Sequence, residues 1–239
     1  MLKCGVYGSN GKMGKIIIKE LEGFKDKITL KECFTRQHKP DKTNTKGLNF
    51  IIDFSSPQAS LELSRMLEGT GILIVCGTTG STPDEMKHLK ATKSTILYSS
   101  NFSPSIKRIA KILKEMASEC KNYEVEILES HHSLKKDAPS GTALMLGEVI
   151  AQARGQVLEN VKAIDRNHPR KPEEIGFASL RQGRVNGEHT VFFTSGDDQI
   201  SIRHEAFNKN IFAVGAIQAG LNHSNELKAL TGFIDFITI

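Results

Sequence analysis

The opening residues constrain the fold more than any other part of the chain. Leu2 to Tyr7 reads as a strand, Gly8-Ser9-Asn10-Gly11-Lys12-Met13-Gly14 follows at once, and Lys15 to Leu21 reads as a helix. A strand, a glycine-rich turn and a helix in direct succession place free backbone N–H groups where an anion can meet them. The glycines are spaced GxxGxxG rather than GxGxxG, yet each keeps its physical task. Gly8 permits the tight turn, Gly11 lets the backbone approach a pyrophosphate, and Gly14 lets helix and strand pack closely. Taken alone, the pattern also fits a plain strand-to-helix turn.

The following residues repeat the alternation. Ile28 to Phe34, Asn49 to Ser55, Gly71 to Cys76 and Thr95 to Ser99 read as strands. Ser56-Pro57, Asp84-Glu85-Met86 and Ser103-Pro104 open helices between or after them. The helix after Pro104 carries Ile106, Ile109, Ala110, Leu113, Met116 and Ala117 at core spacing. Alternating strands and helices imply a doubly wound parallel sheet. The second strand ends at Thr35 and Arg36, without the carboxylate that would bind ribose hydroxyls and repel a 2′-phosphate. A guanidinium there, with Lys12 in the glycine loop, favours NADPH over NADH. A solvated arginine at a strand end is the plainer alternative. Gly77-Thr78-Thr79-Gly80 closes the fourth strand with small residues suited to a ligand passing over the sheet. Asn101, after the fifth strand, suits either an amide contact or an Asx turn.

Beyond Tyr123 the character changes. Tyr123 to Leu128 alternates as a half-buried strand. Phe177–Arg181, Gly187–Phe193 and Asp198–His204 read as further strands on short links, hence a mixed or antiparallel sheet in a second domain. Ala163 to Ile175 reads as a long loop, Phe212 to Leu221 as an apolar helix, and Phe233 to Ile237 closes the chain. Between the strand at Tyr123 and a helix opening at Ser140 lies the densest chemistry in the sequence, Glu129-Ser-His131-His132-Ser-Leu-Lys135-Lys136-Asp137-Ala-Pro-Ser140-Gly141-Thr142-Ala143. The loop offers a proton donor (His or Lys), a cation for one carboxylate (Lys), and a neutral cradle at Ser140, Gly141 and Thr142 for a second. Solvated or capping histidines and wet surface lysines remain the bland alternative.

The chain has 239 residues, 38% hydrophobic and 25% charged, so a globular core is expected and disorder is not. The net charge of +5 suits a small anionic ligand, and no basic block is interleaved with aromatics as nucleic-acid binding would require. Cys4, Cys33, Cys76 and Cys120 show no CxxC spacing, which argues against a metal or redox pair. Cys4, Cys33 and Cys76 sit in apolar strand-like surroundings and are expected to be buried thiols in a reducing compartment. No signal-like or membrane-spanning run is evident, and a soluble cytoplasmic protein is expected.

Together the Lys-Met-Gly glycine loop, Gly77-Thr78-Thr79-Gly80, Asn101-Phe102-Ser103 and Glu129 to Ala143 resemble the dihydrodipicolinate reductase family. So do Ile175-Gly-Phe-Ala178, Arg181-Gln-Gly183 and Gly187-Glu-His-Thr190. The resemblance spans nearly the whole chain. It implies a Rossmann-type domain at 1–103 completed by 210–239, and an α+β domain at 104–209 that binds substrate and builds a homotetramer. It implies reduction of 4-hydroxy-tetrahydrodipicolinate to tetrahydrodipicolinate with NADPH or NADH, on the route to diaminopimelate and lysine. By position, His131 is implied as proton donor/acceptor and Lys135 as proton donor. His132, Lys135, Gly141 and Thr142 are implied as substrate contacts. Gly8, Ser9, Asn10, Gly11, Lys12, Met13, Gly77, Thr78, Thr79, Ser99, Ser100, Asn101 and Phe102 are implied as cofactor contacts.

Three features depart from the family pattern. Thr35 stands where an acid is common, which weighs against NADH. Lys209 stands where an arginine is common. The chain is also short around His38–Lys46 and Gln156–Asn160. Two other readings compete with the reductase. A non-catalytic nucleotide sensor would have no use for the His131-to-Thr142 constellation. Another NADP-dependent dehydrogenase of the same plan would differ in substrate.

Overall fold

The computed structural model describes residues 1–227 and 230–237. The chain divides into two compact units, Met1–Pro104 with Lys209–Ile239, and Ser105–Asn208.

The first unit is built on β1 (Leu2–Tyr7), β2 (Ile28–Phe34), β3 (Phe50–Asp53), β4 (Leu73–Cys76), β5 (Thr95–Tyr98) and β11 (Gly232–Asp235). They form one parallel sheet in the order β11-β5-β4-β3-β1-β2. β3 and β4 are buried throughout, which explains the apolar run of β4 and of β3 up to Asp53. The helices α1 (Lys12–Leu21), α2 (Pro57–Met66), α3 (Pro83–Ala91) and α7 (Asn210–His223) belong to this unit, with α1 packed on α7. Ser56 caps α2 by accepting from the Ala59 N–H, and Pro57 begins the helix. The chain leaves β1 for β2 on one side and returns to β3 on the other. That reversal makes the carboxyl ends of β1 and β3 the switch point at which such sheets bind ligands.

The second unit carries β6 (Glu124–His131), β7 (Lys162–Ile164), β8 (Ile175–Arg181), β9 (Glu188–Thr194) and β10 (Gln199–Glu205). Their order is β10-β9-β6-β8-β7, antiparallel from β10 to β6 and parallel from β6 to β7. The sheet is therefore mixed, as expected. Here too are most of α4 (Pro104–Glu119), α5 (Gly141–Ala153) and the single turn α6 (Leu158–Val161). Val125 and Ile127 of β6, Phe177 of β8 and Val191 and Phe193 of β9 share the face against which α5 packs. On α4, Ile106, Ala110, Leu113 and Ala117 are buried, while Ile109 and Met116 of the stripe read from sequence are half-buried.

Four local expectations are corrected. α1 begins at Lys12, three residues early, because the glycine turn is tighter than a loop ending at Gly14. The segment expected as a loop from Ala163 contains β7, added as an edge strand by pairing with β8. β6 runs on to His131 rather than ending at Leu128, since β8 and β9 continue the ladder beside it. Cys33 is exposed, because alternation along β2 turns it away from the core side occupied by Phe34, whereas Cys4 and Cys76 are buried. Among the described residues no helix is long and apolar enough to cross a membrane.

Candidate active site

In the first unit the carboxyl end of β1 forms a tight cradle. Gly8 adopts φ +79°, and a β-carbon on it would lie 2.5 Å from the Phe54 carbonyl oxygen after β3. One on Gly14 would lie 2.2 Å from the Gly8 oxygen, so the first turn of α1 rests directly on the loop. Ser9 is buried and anchors the loop to β2 by donating N–H and O–H to the Phe34 carbonyl at 3.1 and 2.9 Å. Asn10, Gly11 and Lys12 are exposed and Met13 is half-buried. The N-cap Gly11 has no side chain to fill the helix end, and the first helical bond runs from Lys15 N–H to Gly11 oxygen at 3.1 Å. The N–H groups of the first turn therefore project from the helix end.

The neighbouring loops complete this rim. Gly77 lies against the Phe54 ring, and Thr79 is exposed beside the buried Thr78. Thr78 Oγ1 donates to Asp53. Asp53 is fully buried and accepts from Ser55 N–H and O–H at 3.0 and 2.5 Å. Burial pushes its carboxyl pKa up, against the opposing bonds from Ser55, Ser60 and Cys76. Asn101 Oδ1 accepts from Ser103 N–H at 2.8 Å, which is the Asx-turn alternative. Ser99 Oγ accepts from Asn101 N–H and donates to its carbonyl, while Ser100 is half-buried. The Phe102 ring is 1% exposed and lies near Phe54 and Phe236, so its side chain belongs to the core. Arg36 is exposed. The preceding Thr35 Oγ1 accepts from the N–H of Gln37 and of His38, which fixes the turn that carries the guanidinium. A helix end open at a glycine, with no room for a β-carbon at Gly8, Gly14 or Gly77 beside it, fits a dinucleotide pyrophosphate.

In the second unit the register of β6 assembles the acid-bearing residues. Glu129 and His131 are two apart on one strand and so share the face of Val125 and Ile127. Cross-strand pairing sets His189 of β9 beside Glu129, and Arg181 of β8 beside His131. Glu129 is fully buried, His131 is 9% exposed, and His131 Nδ1 lies 2.5 Å from Glu129 Oε2. Arg181 grips both oxygens of the same carboxylate, Nη1 to Oε2 at 2.9 Å and Nη2 to Oε1 at 2.8 Å. Burial opposes ionisation of Glu129. The bonds from His131, Arg181 and Ser179 outweigh it and hold the carboxyl well below the usual range.

Ser140 sits at the start of α5 with its groups engaged inside the protein. Its N–H donates to Glu129 Oε1 at 3.2 Å. Its Oγ accepts from Ala143 N–H as helix cap and lies 3.0 Å from His189 Nε2. Gly141 is half-buried and Thr142 buried, both in the first turn of α5. Lys135 Nζ bonds both oxygens of Asp137 at 2.9 and 2.8 Å, and His132 is half-buried beside this loop. The loop is pinned to the end of β8: Gln182 N–H donates to His131 oxygen at 2.8 Å, and Ser133 N–H to Gly183 oxygen at 3.3 Å. Burial, with help from the neighbouring His131, pushes His189 down to about 3, so it is neutral at neutral pH. The sequence alone assigns no role to Glu129, Asp137, Arg181 or His189. The signal for Glu129 was the carboxylate two residues before a histidine at a strand end. For Arg181 and His189 the sequence held only the motif.

Residues 2–102 match the family model described as dihydrodipicolinate reductase, N-terminus, and residues 105–237 match its C-terminus. The 4-hydroxy-tetrahydrodipicolinate reductase of Rickettsia rickettsii is 39% identical over 242 residues, covering 100% of each chain. That of Helicobacter pylori strain G27 is 36% identical, covering 92% of this chain and 93% of the relative. A dipicolinate-bound dihydrodipicolinate reductase from Paenisporosarcina sp. TG-14 superposes over 100% of this chain and 99% of its own with TM-score 0.73 at 19% identity. The chain belongs to the dihydrodipicolinate reductase family.

Proposed function

We propose that this chain reduces 4-hydroxy-tetrahydrodipicolinate to tetrahydrodipicolinate with a reduced nicotinamide nucleotide, a step in diaminopimelate and lysine biosynthesis. The observation that carries the reading is the buried Glu129–His131 pair with Lys135 and the α5 start on one loop, in a chain that also holds the glycine cradle. The net reaction adds one hydride and one proton and releases one water. The bound nicotinamide supplies the hydride; the protein must hold the dicarboxylate and deliver the proton.

His131 Nε2 is assigned as the proton donor, since Nδ1 is engaged by Glu129. Lys135 is assigned to one substrate carboxylate and to proton supply, and His132 and the α5 start at Gly141 and Thr142 to the rest of the dicarboxylate. Ser140 contributes by placing that helix start. The rim of Gly8 to Met13, Gly77 to Thr79 and Ser99 to Phe102 is assigned to the cofactor, with Arg36 taking a 2′-phosphate and so favouring NADPH. Self-association to a tetramer is proposed as well. Leu128, Ala178, Leu180 and Phe192 share the sheet face opposite α5, and Leu180 is 47% exposed. All four cysteines are free thiols, in keeping with a cytoplasmic location.

The test is loss of reduced-nicotinamide absorbance with NADPH or NADH and substrate generated in situ by dihydrodipicolinate synthase. Substrate-dependent oxidation supports the reading. Folded, NADPH-binding protein that oxidises neither cofactor overturns it in favour of the sensor or another substrate.

A further inference from the structure

We propose that Glu129 and Arg181 are positioning residues that fix the hydrogen of His131 on Nδ1, aim Nε2 at the space over Gly187, and tie this histidine to the Lys135 loop. The proposal rests on His131 being the proton donor, and it goes beyond that assignment.

The donor count around Glu129 favours a carboxylate. Oε1 receives Arg181 Nη2 and the Ser140 N–H; Oε2 receives Arg181 Nη1 and faces His131 Nδ1. Arginine and backbone N–H can only donate, and an ionised carboxylate can only accept. The proton between Glu129 and His131 is therefore assigned to Nδ1. An amide in place of the carboxylate would turn an NH2 group toward donors at one end or the other.

With Nδ1 engaged, Nε2 is the atom left for chemistry, and it points at Gly187. A β-carbon on Gly187 would lie 3.1 Å from His131 Nε2 and 3.8 Å from His189 Cε1. The residue has φ +155°, which L side chains rarely adopt. Glycine thus keeps open the volume into which Nε2 points. The His189 ring stands edge-on to His131 at 5.2 Å and bonds Ser140, so the imidazole is walled on that side.

Arg181 couples this pair to the lysine. Beyond Glu129, its Nη2 donates to the Asp137 carbonyl oxygen at 2.6 Å, and the Asp137 carboxylate holds Lys135 Nζ. In Glu129→Gln an amide oxygen kept at the Oε1 position still accepts the Ser140 N–H, so loss of the charge acts on the histidine, whereas Arg181 acts on the histidine and the lysine loop together. No lysine can replace it, because one ammonium cannot span two carboxylate oxygens and a carbonyl in one plane.

The experiment combines kinetics with a spectroscopic reading that does not depend on turnover. In ¹H–¹⁵N spectra of labelled wild-type protein, with His131→Asn used for assignment, a downfield Nδ1–H proton is expected on His131. Glu129→Gln should abolish it, lower kcat by about a hundredfold or more, and leave the NADPH dissociation constant unchanged. Arg181→Met should lower kcat and also raise the substrate KM, a split that Glu129→Gln should not show. Arg181→Lys should not rescue it. Wild-type His131 carrying its hydrogen on Nε2 alone would overturn the proposal even if a variant failed to fold. So would Glu129→Gln with wild-type kcat. Wild-type protein that shows the Nδ1–H signal but turns over no substrate would leave the hydrogen-bond assignment standing and remove the proposed reaction.

Discussion

Lys135 Nζ bridges both carboxylate oxygens of Asp137, two residues along the same loop, at 2.9 and 2.8 Å. The Lys135 side chain is 21% exposed and that of Asp137 61%, so the pair faces solvent on the acid side. Such a pair is worth no more than about 1 kcal/mol, so if Lys135 receives a substrate carboxylate, that group would displace or join Asp137 at little cost. Asp137→Ala is expected to change the substrate KM by less than about fivefold. Lys135→Ala is expected to raise that KM and to lower kcat by roughly a hundredfold or more, and His131→Ala to lower kcat by a similar factor. Steady-state kinetics of the three variants decide the point: near wild-type turnover in the last two refutes their assignment.

The nucleotide cradle makes a sharper demand on one atom. Gly8→Ala would force a left-handed backbone on a residue with a β-carbon and drive that carbon into the Phe54 carbonyl. A loss of about 2 kcal/mol or more in unfolding free energy is expected, with weakened NADPH binding. Urea denaturation and a fluorescence titration with NADPH measure both. Unchanged values would show that the loop opens without cost.

Arg36 follows a turn fixed by Thr35 and stands exposed at the end of β2. If it receives the 2′-phosphate, Arg36→Ala raises the KM for NADPH by about tenfold or more and leaves that for NADH within about twofold. An equal rise for both cofactors would remove the phosphate role and with it the argument for NADPH.

His189 gives the second unit an acid sensitivity of known sign. Its folded value of about 3 lies below the ordinary imidazole value of 6.5, chiefly through burial and then through His131, His204 and Lys135, with Glu129 opposing. The unfolded chain therefore binds the proton first as pH falls, and stability declines from about pH 6.5 downward until the folded form is protonated as well. Between pH 6.5 and 4.5 the loss from this residue is on the order of 2–3 kcal/mol. Glu129, held low, keeps its stabilisation through that window. His189→Gln should flatten the acid limb of unfolding free energy relative to wild type, leaving the part due to His204, which burial also pushes down. Parallel curves for the two proteins would mean that the imidazole is solvated or paired at low pH.

What the sequence determined by itself was local. The strand, glycine turn and helix at Leu2 to Leu21, the alternation that follows, the cap at Ser56-Pro57 and the apolar stripe of α4 all depend on neighbours within a few residues. Their spacing is written directly in the chain. The His131-to-Thr142 motif was legible for the same reason. What only the tertiary structure decided was which distant groups meet it. Glu129 and Arg181 are 52 residues apart, and Ser140 and His189 are 49 apart. Only the pairing register of β6 with β8 and β9 sets them side by side, and a slip of one residue would turn each to the opposite face. That register also carried β6 on to His131, and pairing with β8 added β7 at the edge. Non-local pairing leaves no periodic mark in the sequence, because its partners are chosen by packing across the sheet rather than by spacing along the chain.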